Sequence, residues 1–148
     1  MSSIQASFRP YEAADRDRCL AIFDENSPEF FAPNERADFA AFLESSADDY
    51  CVCLVNGRVA GGYALCLEGK GVMSLRWILI AREAQRRGIG HVIMTRTVNG
   101  VRKLKARLAI AASQKSAPFF AKFGAREMQT TPDGWGPGMH RVDMELAP

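Results

Sequence analysis

The side chains best equipped for chemistry gather in one stretch, Gln85-Arg86-Arg87-Gly88-Ile89-Gly90-His91. Two arginines and a histidine crowd two closely spaced glycines, and the chemistry such a set serves is anion binding. Guanidinium forks match phosphate oxygens in pairs, and glycines let the backbone approach a ligand without Cβ interference. No Gly-Lys-Ser/Thr closes the stretch, so nucleoside triphosphate hydrolysis has no support, and no third glycine follows at the dinucleotide spacing. Outside it, His140 is the one side chain of the final apolar run suited to general-base work at neutral pH. It shares strand parity with Val142, Met144 and Leu146, which places it on an apolar face, as a base or as a hydrogen-bonded core histidine. Arg76, on one strand face with Ser74, and Arg141 suit a carboxylate-bearing substrate or a surface salt bridge. Trp135 stands in Pro132-Asp133-Gly134-Trp135-Gly136-Pro137-Gly138, as a wall over an acceptor site or as an anchor for the hairpin. Glu68 reads as exposed turn chemistry, and Glu83 as a partner orienting a nearby arginine.

The elements that must position these residues follow from periodicity. An apolar run, Trp77-Ile78-Leu79-Ile80, leads into the glycine turn, and an amphipathic helix is expected from Gly88 to about Leu104, with Ile89, Val92, Ile93, Thr97, Val101 and Leu104 along its buried side. The first N–H groups of that helix lack intrahelical partners and carry the positive end of its dipole, a natural seat for phosphate. Upstream, Ile4 to Arg9 reads as a first strand ended by Pro10. Asp15 is the expected N-cap of a helix carrying Cys19, Ile22 and Phe23, and a second helix from near Asn34 carries Phe39, Phe42 and Leu43. Tyr50 to Val55, Arg58 to Glu68 and Val72 to Ile80 form an antiparallel meander, its first turn marked by Asn56-Gly57. Downstream come a buried strand from Arg107 to Ala112, a short helix from Ala117 to Phe123 stopped by Gly124, and strands at Ala125 to Thr130 and Met139 to Leu146 around the tryptophan loop.

At 148 residues, with 47% apolar and 24% charged residues, the chain reads as a single domain over 1 to 148 that needs no metal or disulfide staple. The net charge of +2 makes no demand for nucleic acid, and the basic run Arg102-Lys103-Lys105-Arg107 reads as a solvated helix end. Cys19, Cys51, Cys53 and Cys66 have neither Cys-x-x-Cys nor zinc spacing, so no metal is expected. Residues 1 to 9 lack a secretory pattern and no apolar run is long enough for a bilayer, which points to the cytoplasm and away from membranes.

The glycine stretch resembles the acyl-CoA-binding motif of the GNAT superfamily of N-acetyltransferases, Gln/Arg-x-x-Gly-x-Gly/Ala, with Gln85, Gly88 and Gly90 at its fixed positions. The order βααβββαβαββ, an α+β fold with a mixed sheet, is similar to that family along nearly the whole chain. The resemblance implies acetyl-CoA as acyl donor. Its pantetheine arm would run along the backbone of Ile78, Leu79 and Ile80, its phosphates would sit on Arg86 to His91, Ile89 included, and an N–H near Ile78 would serve the oxyanion. Ser113 and Phe120 fall at the positions of the family's helix asparagine and tyrosine.

Transfer of an acetyl group to a small-molecule or peptide amine needs the neutral amine. With a pKa near ~10.4, about one part in two thousand is neutral at pH 7, a cost of roughly 4 to 5 kcal/mol. The family often places a glutamate for this on its fourth or fifth strand, yet the aligned positions are Leu75 and Leu108. Nor can Phe120 protonate the departing thiolate; Tyr63 and Ser113 are alternatives that nothing in the sequence separates. A thiol of pKa about 8.5 leaves readily in any case. These departures keep a second expectation open, a non-catalytic acyl-CoA-binding or regulatory module on the same fold. Nucleic-acid binding is not expected, and exposed last strands of this architecture can pair between subunits in a homodimer.

Overall fold

The computed structural model describes residues 5 to 148, so the expected strand residue Ile4 lies outside the described residues. The elements are β1 (Ala6–Pro10), α1 (Arg16–Glu25), α2 (Glu35–Ser45), β2 (Tyr50–Val55), β3 (Arg58–Gly69), β4 (Val72–Ile80), α3 (Ile89–Lys103), β5 (Arg107–Ser113), α4 (Ala117–Ala121), β6 (Arg126–Gly136) and β7 (Met139–Leu146). This is the expected order. They build one mixed sheet in the order β1-β2-β3-β4-β5-β7-β6. Only β4 and β5 run parallel; every other neighbouring pair is antiparallel.

Several boundaries differ from expectation for physical reasons. Pro10 closes β1 from within, opposite Cys51, because an edge strand tolerates a residue without an N–H. Asp15 does not cap α1 with its side chain. Its carboxylate instead takes two hydrogen bonds from Arg9, at 2.7 and 3.0 Å, and one from the Glu12 N–H at 2.9 Å, and the Arg9 bonds hold it below the usual carboxylate range. Leu104, expected in the core, is 61% exposed just past the end of α3, and Met94 fills the core instead. The helix before Gly124 stops at Ala121, and β6 runs on through the expected tryptophan loop to Gly136. Arg107 and Ala111 are exposed, so β5 is buried only in part.

Asn56 and Gly57 both adopt left-handed φ, 53° and 77°, which is what a tight β2–β3 turn needs. Across the sheet, alternation divides the helices. Tyr50 and Gly62 face α1 and α2, while Tyr63 and Leu65 face α3, where the Tyr63 hydroxyl accepts from Arg96 Nε at 3.3 Å.

The feature that shapes everything downstream is a bulge in β4. Gly62 pairs with Leu79 but Ala64 pairs with Arg76, so β4 carries one extra residue, and Trp77 takes φ +51° to accommodate it. That conformation is costly for a bulky side chain. Compensation comes from Tyr50, fully buried, whose hydroxyl donates to the Trp77 carbonyl at 2.9 Å. Phe31, Phe39 and Phe42 pack their rings on the Trp77 indole at centroid distances of 6.1, 5.1 and 6.3 Å. Tyr50 can lie there only because position 62 is glycine: a Cβ would stand 2.6 Å from its ring.

Replacing Tyr50 with Phe is therefore expected to leave the fold intact but strand the buried Trp77 carbonyl, lowering stability by about 1 to 2 kcal/mol in urea denaturation. An unchanged midpoint would show that the bulge does not depend on this hydrogen bond.

Candidate functional site

A bulge bends its strand and increases the local twist. Here it takes β4 away from β5: their pairing covers Val72 to Leu75 against Arg107 to Ile110 and stops, while β5 continues alongside β7 as far as Ser113 opposite Arg141. The backbone of Arg76 to Ile80 thus has no ladder partner on its β5 side. Ile78, Leu79 and Ile80, expected to carry a ligand's extended arm, lie on that free edge, and the Leu79 side chain is core.

The end of β4 is held by side chains from elsewhere. The Ile80 carbonyl accepts from Asn26 Nδ2 and from Gln85 Nε2, both at 3.0 Å, and Gln85 Nε2 also reaches Asn26 Oδ1 at 3.1 Å. Asn26, buried at the end of α1, further donates to the Ile22 carbonyl at 2.8 Å. Gln85, expected to touch ligand, thus spends its amide on the protein and fixes the turn. Two ion pairs or charge-assisted bonds fasten the same turn to α1: the Arg82 N–H donates to Glu25 Oε1 and Arg18 to Glu83, each at 2.9 Å. Glu83 does orient an arginine, though a distant one.

Beyond this anchored segment the chain opens. Arg86, Arg87, Gly88 and His91 are exposed, with Arg86 at φ 63° and Gly88 at φ 89°. The first rung of α3 runs from the Val92 N–H to the Gly88 carbonyl at 3.1 Å, which leaves the N–H groups of Gly88, Ile89, Gly90 and His91 ahead of the ladder. Arg86 and Arg87 have no carboxylate partner among the described residues, and the first turn of α3 contains no acidic residue. Cations and unclaimed N–H groups facing solvent together can receive a multiply charged anion. A Cβ on Gly90 would stand 3.0 Å from Phe119, so this glycine also lets α4 approach α3.

Other expected site residues are distributed differently. Ser113 is buried at the end of β5, its hydroxyl oxygen accepting the Lys115 and Ser116 N–H groups at 3.1 and 3.2 Å. Phe120 is core. Tyr63 sits with Phe8 and Arg96 toward β1 and β2, and burial pushes its hydroxyl pKa up. His140 keeps its strand parity but is not enclosed: its side chain is 41% exposed at the start of β7, and its Nδ1 accepts the Asp133 N–H at 3.0 Å. A neutral ring so engaged has its only basic nitrogen occupied. Arg76 is paired with Glu68 at 2.8 Å, and Arg141 with Asp143 at 3.0 Å, so neither guanidinium is uncommitted. Trp135 roofs the opening, its indole N–H donating to the Ala112 carbonyl at 2.8 Å and its own carbonyl accepting from Asn34 at 2.7 Å.

A model of the acetyltransferase (GNAT) family matches residues 19–125. No curated protein matches the chain in sequence. Among solved structures, Ard1 from Thermoplasma volcanium superposes with a TM-score of 0.78 at 14% identity, covering 95% of this chain and 96% of that one. Rv2747 from Mycobacterium tuberculosis, in complex with CoA, gives 0.73 at 17% identity over 96% and 99% of the two chains. A phosphinothricin acetyltransferase from Sinorhizobium meliloti, in complex with AcCoA, gives 0.72 at 18% identity over 95% and 87%. These likenesses establish the fold.

Asn26→Ala is expected to free the end of β4. It removes two donors and leaves Gln85 without its amide partner, costing about 2 to 3 kcal/mol of stability and speeding hydrogen exchange across Arg82 to Gly88. Unaltered exchange there would show that the turn holds without Asn26.

Proposed function

The chain belongs to the GNAT acetyltransferase family, and on that footing we propose that it binds acetyl-CoA and transfers the acetyl group to a primary amine of a small molecule or peptide by direct attack. The observation that carries the reading is succession: the unpaired edge of β4 leads, through a turn anchored on α1, to the exposed N-terminus of α3 and to two arginines with no carboxylate partner among the described residues. Solved relatives of the same fold that hold CoA or AcCoA support it.

The residues present fit such a ligand. Unclaimed N–H groups at Gly88, Ile89, Gly90 and His91, with Arg86 and Arg87, suit a diphosphate, and the Ile78 to Ile80 edge suits an amide-bearing arm that hydrogen-bonds like an added strand. Acetyl-CoA supplies the activated thioester. The chain's own part is to orient it, offer an N–H to the carbonyl oxygen, exclude water and manage two protons. Ser113 is the better placed of the two expected proton donors, because it ends β5 beside the opening, and with two N–H bonds on its oxygen its hydrogen turns either to Ser116 Oγ at 3.4 Å or to a ligand. Phe120 contributes wall rather than proton.

A second reading, a non-catalytic acyl-CoA-binding module, draws on Leu75, Leu108 and Phe120, all apolar and at most 4% exposed where the family commonly carries acid or base. Release of CoA over a panel of amines separates the two.

The binding claim is tested by isothermal titration. Acetyl-CoA is expected to bind in the micromolar range, about −8 kcal/mol, and Gly88→Asp, which sets a carboxylate and a Cβ at φ 89° where phosphate would sit, is expected to abolish the heat while the circular dichroism spectrum is kept. Equal isotherms for both proteins would refute the assignment.

A further inference from the structure

The mechanism above lacks a group to take the proton of the amine, and the structure contains a buried carboxyl that nothing has yet used. Glu35, at the start of α2, is 4% exposed. Its Oε2 accepts the Ala32 N–H at 2.8 Å, a half capping box in form, while no donor within the described residues bonds its other oxygen. No cation among the described residues neutralises it. Arg36, its chain neighbour, turns to Asp24 on α1 at 2.8 Å; Arg141 of β7 is tied to Asp143 and lies over the Trp135 ring at 5.1 Å; in the hairpin, His140 holds the Asp133 N–H. Burial above all pushes the carboxyl up to about 7, the Ala32 N–H opposing it and the charge of Asp38 adding to it.

The position of Glu35 is what gives this meaning. The turn from Phe31 to Glu35 touches both walls of the opening between β4 and β5. Phe31 stacks on Trp77 at the bulge, and Asn34 bonds Trp135, whose indole reaches Ala112 on β5. We propose that Glu35 receives the ammonium of the acceptor and takes its proton, and that the acceptor is an amine on an uncharged, apolar carrier. The second part follows from Arg76 and Arg141 being already paired and from the aromatic walls that Phe31, Trp77 and Trp135 provide.

The inference rests on the acetyl-transfer reading, and the step balances. The Glu35 carboxylate removes one proton from R–NH3+. The freed lone pair forms the N–C bond to the thioester carbonyl carbon as the C–S bond breaks, its electron pair leaving on sulfur. The second nitrogen proton goes to that sulfur, giving amide and thiol, and Glu35 returns its proton to solvent.

Glu35→Gln keeps an acceptor for the Ala32 N–H while removing the titration, so a capping role and a proton-accepting role separate. With phenethylamine and n-butylamine as probes, the variant is expected to bind acetyl-CoA as the native protein does yet lose about a hundredfold or more in kcat/KM. The native profile is expected to level off above about pH 7, whereas that of the variant climbs toward the amine's own pKa near ~10. In the native protein with CoA, phenethylamine is expected to lower the midpoint of the Glu35 carboxyl followed by 13C NMR. Native-like turnover in the variant, acetylation of glutamate but of neither probe, or an unmoved midpoint would overturn the proposal. Loss of acetyl-CoA binding in the native protein would instead defeat the preceding reading, with the NMR midpoint still deciding the role of Glu35.

Independently of turnover, the folded chain holds the Glu35 proton up to about pH 7 while an unfolded chain releases it near 4.5. Its stabilising contribution is therefore complete below 4.5 and fades as pH rises through 7. Glu35→Gln is expected to flatten that part of the stability profile, and an identical slope in both proteins would contradict the shifted titration.

Discussion

The bulge at Trp77 sets the course of β4, and it is held by the hydrogen bond from the Tyr50 hydroxyl to its carbonyl together with the phenylalanine rings packed on the indole. A tryptophan at positive φ in a central strand is a costly conformation, and it persists because Tyr50 and three phenylalanines of the α1–α2 layer hold it from one side. Without that extra residue β4 would have no evident reason to part from β5 after Leu75. The divergence in turn creates the free backbone edge, and the free edge points at the glycine turn. Local strain is thus converted into an accessible strand end in the interior of a seven-stranded sheet, a place where backbone polar groups are otherwise all paired.

The α1 helix ties the two halves of the opening together. Its last turn supplies Asn26 and Glu25 to the β4–α3 connection, and Arg18 adds the bond to Glu83. The segment that follows α1 supplies Phe31 to the bulge and Asn34 to the β6–β7 hairpin. The β4–α3 turn and the Trp135 hairpin are therefore fastened to one continuous stretch of chain, so that the N–H groups ahead of the α3 ladder are held in place rather than left on a loose loop. Preorganised dipoles of this kind need no rearrangement when charge arrives.

Much of the fold was legible because it is written locally. Asn56-Gly57 marks its hairpin, the 3.6-residue stripe marks α3, and Gly88 and Gly90 mark the turn. What stayed hidden depends on partners far away in sequence. Trp77 looks like an ordinary strand residue until Tyr50 and Gly62 are seen around it. Arg76 and Arg141 could each serve a substrate carboxylate or a surface salt bridge, and only the fold shows Glu68 and Asp143 beside them. His140 has the parity of a core residue, but it lies near the hairpin end of β7, half-buried, with its ring engaged by the Asp133 N–H. Leu104 matches the helical stripe one residue after the helix has ended. Nothing in the local sequence singles out Asn26 or Glu35; their burial does, and burial is a property of the assembled layers.

One surface, from the unpaired edge of β4 to the first turn of α3, is proposed to receive the coenzyme. The most direct measurement is a two-dimensional amide NMR titration with CoA itself, which needs neither turnover nor a known acceptor. The large shifts are expected on Ile78 to Ile80 and Arg86 to Val92, with lesser ones around Ser113. Shifts that spare both segments, or that gather instead on the β1–β2 side of the sheet, would contradict it.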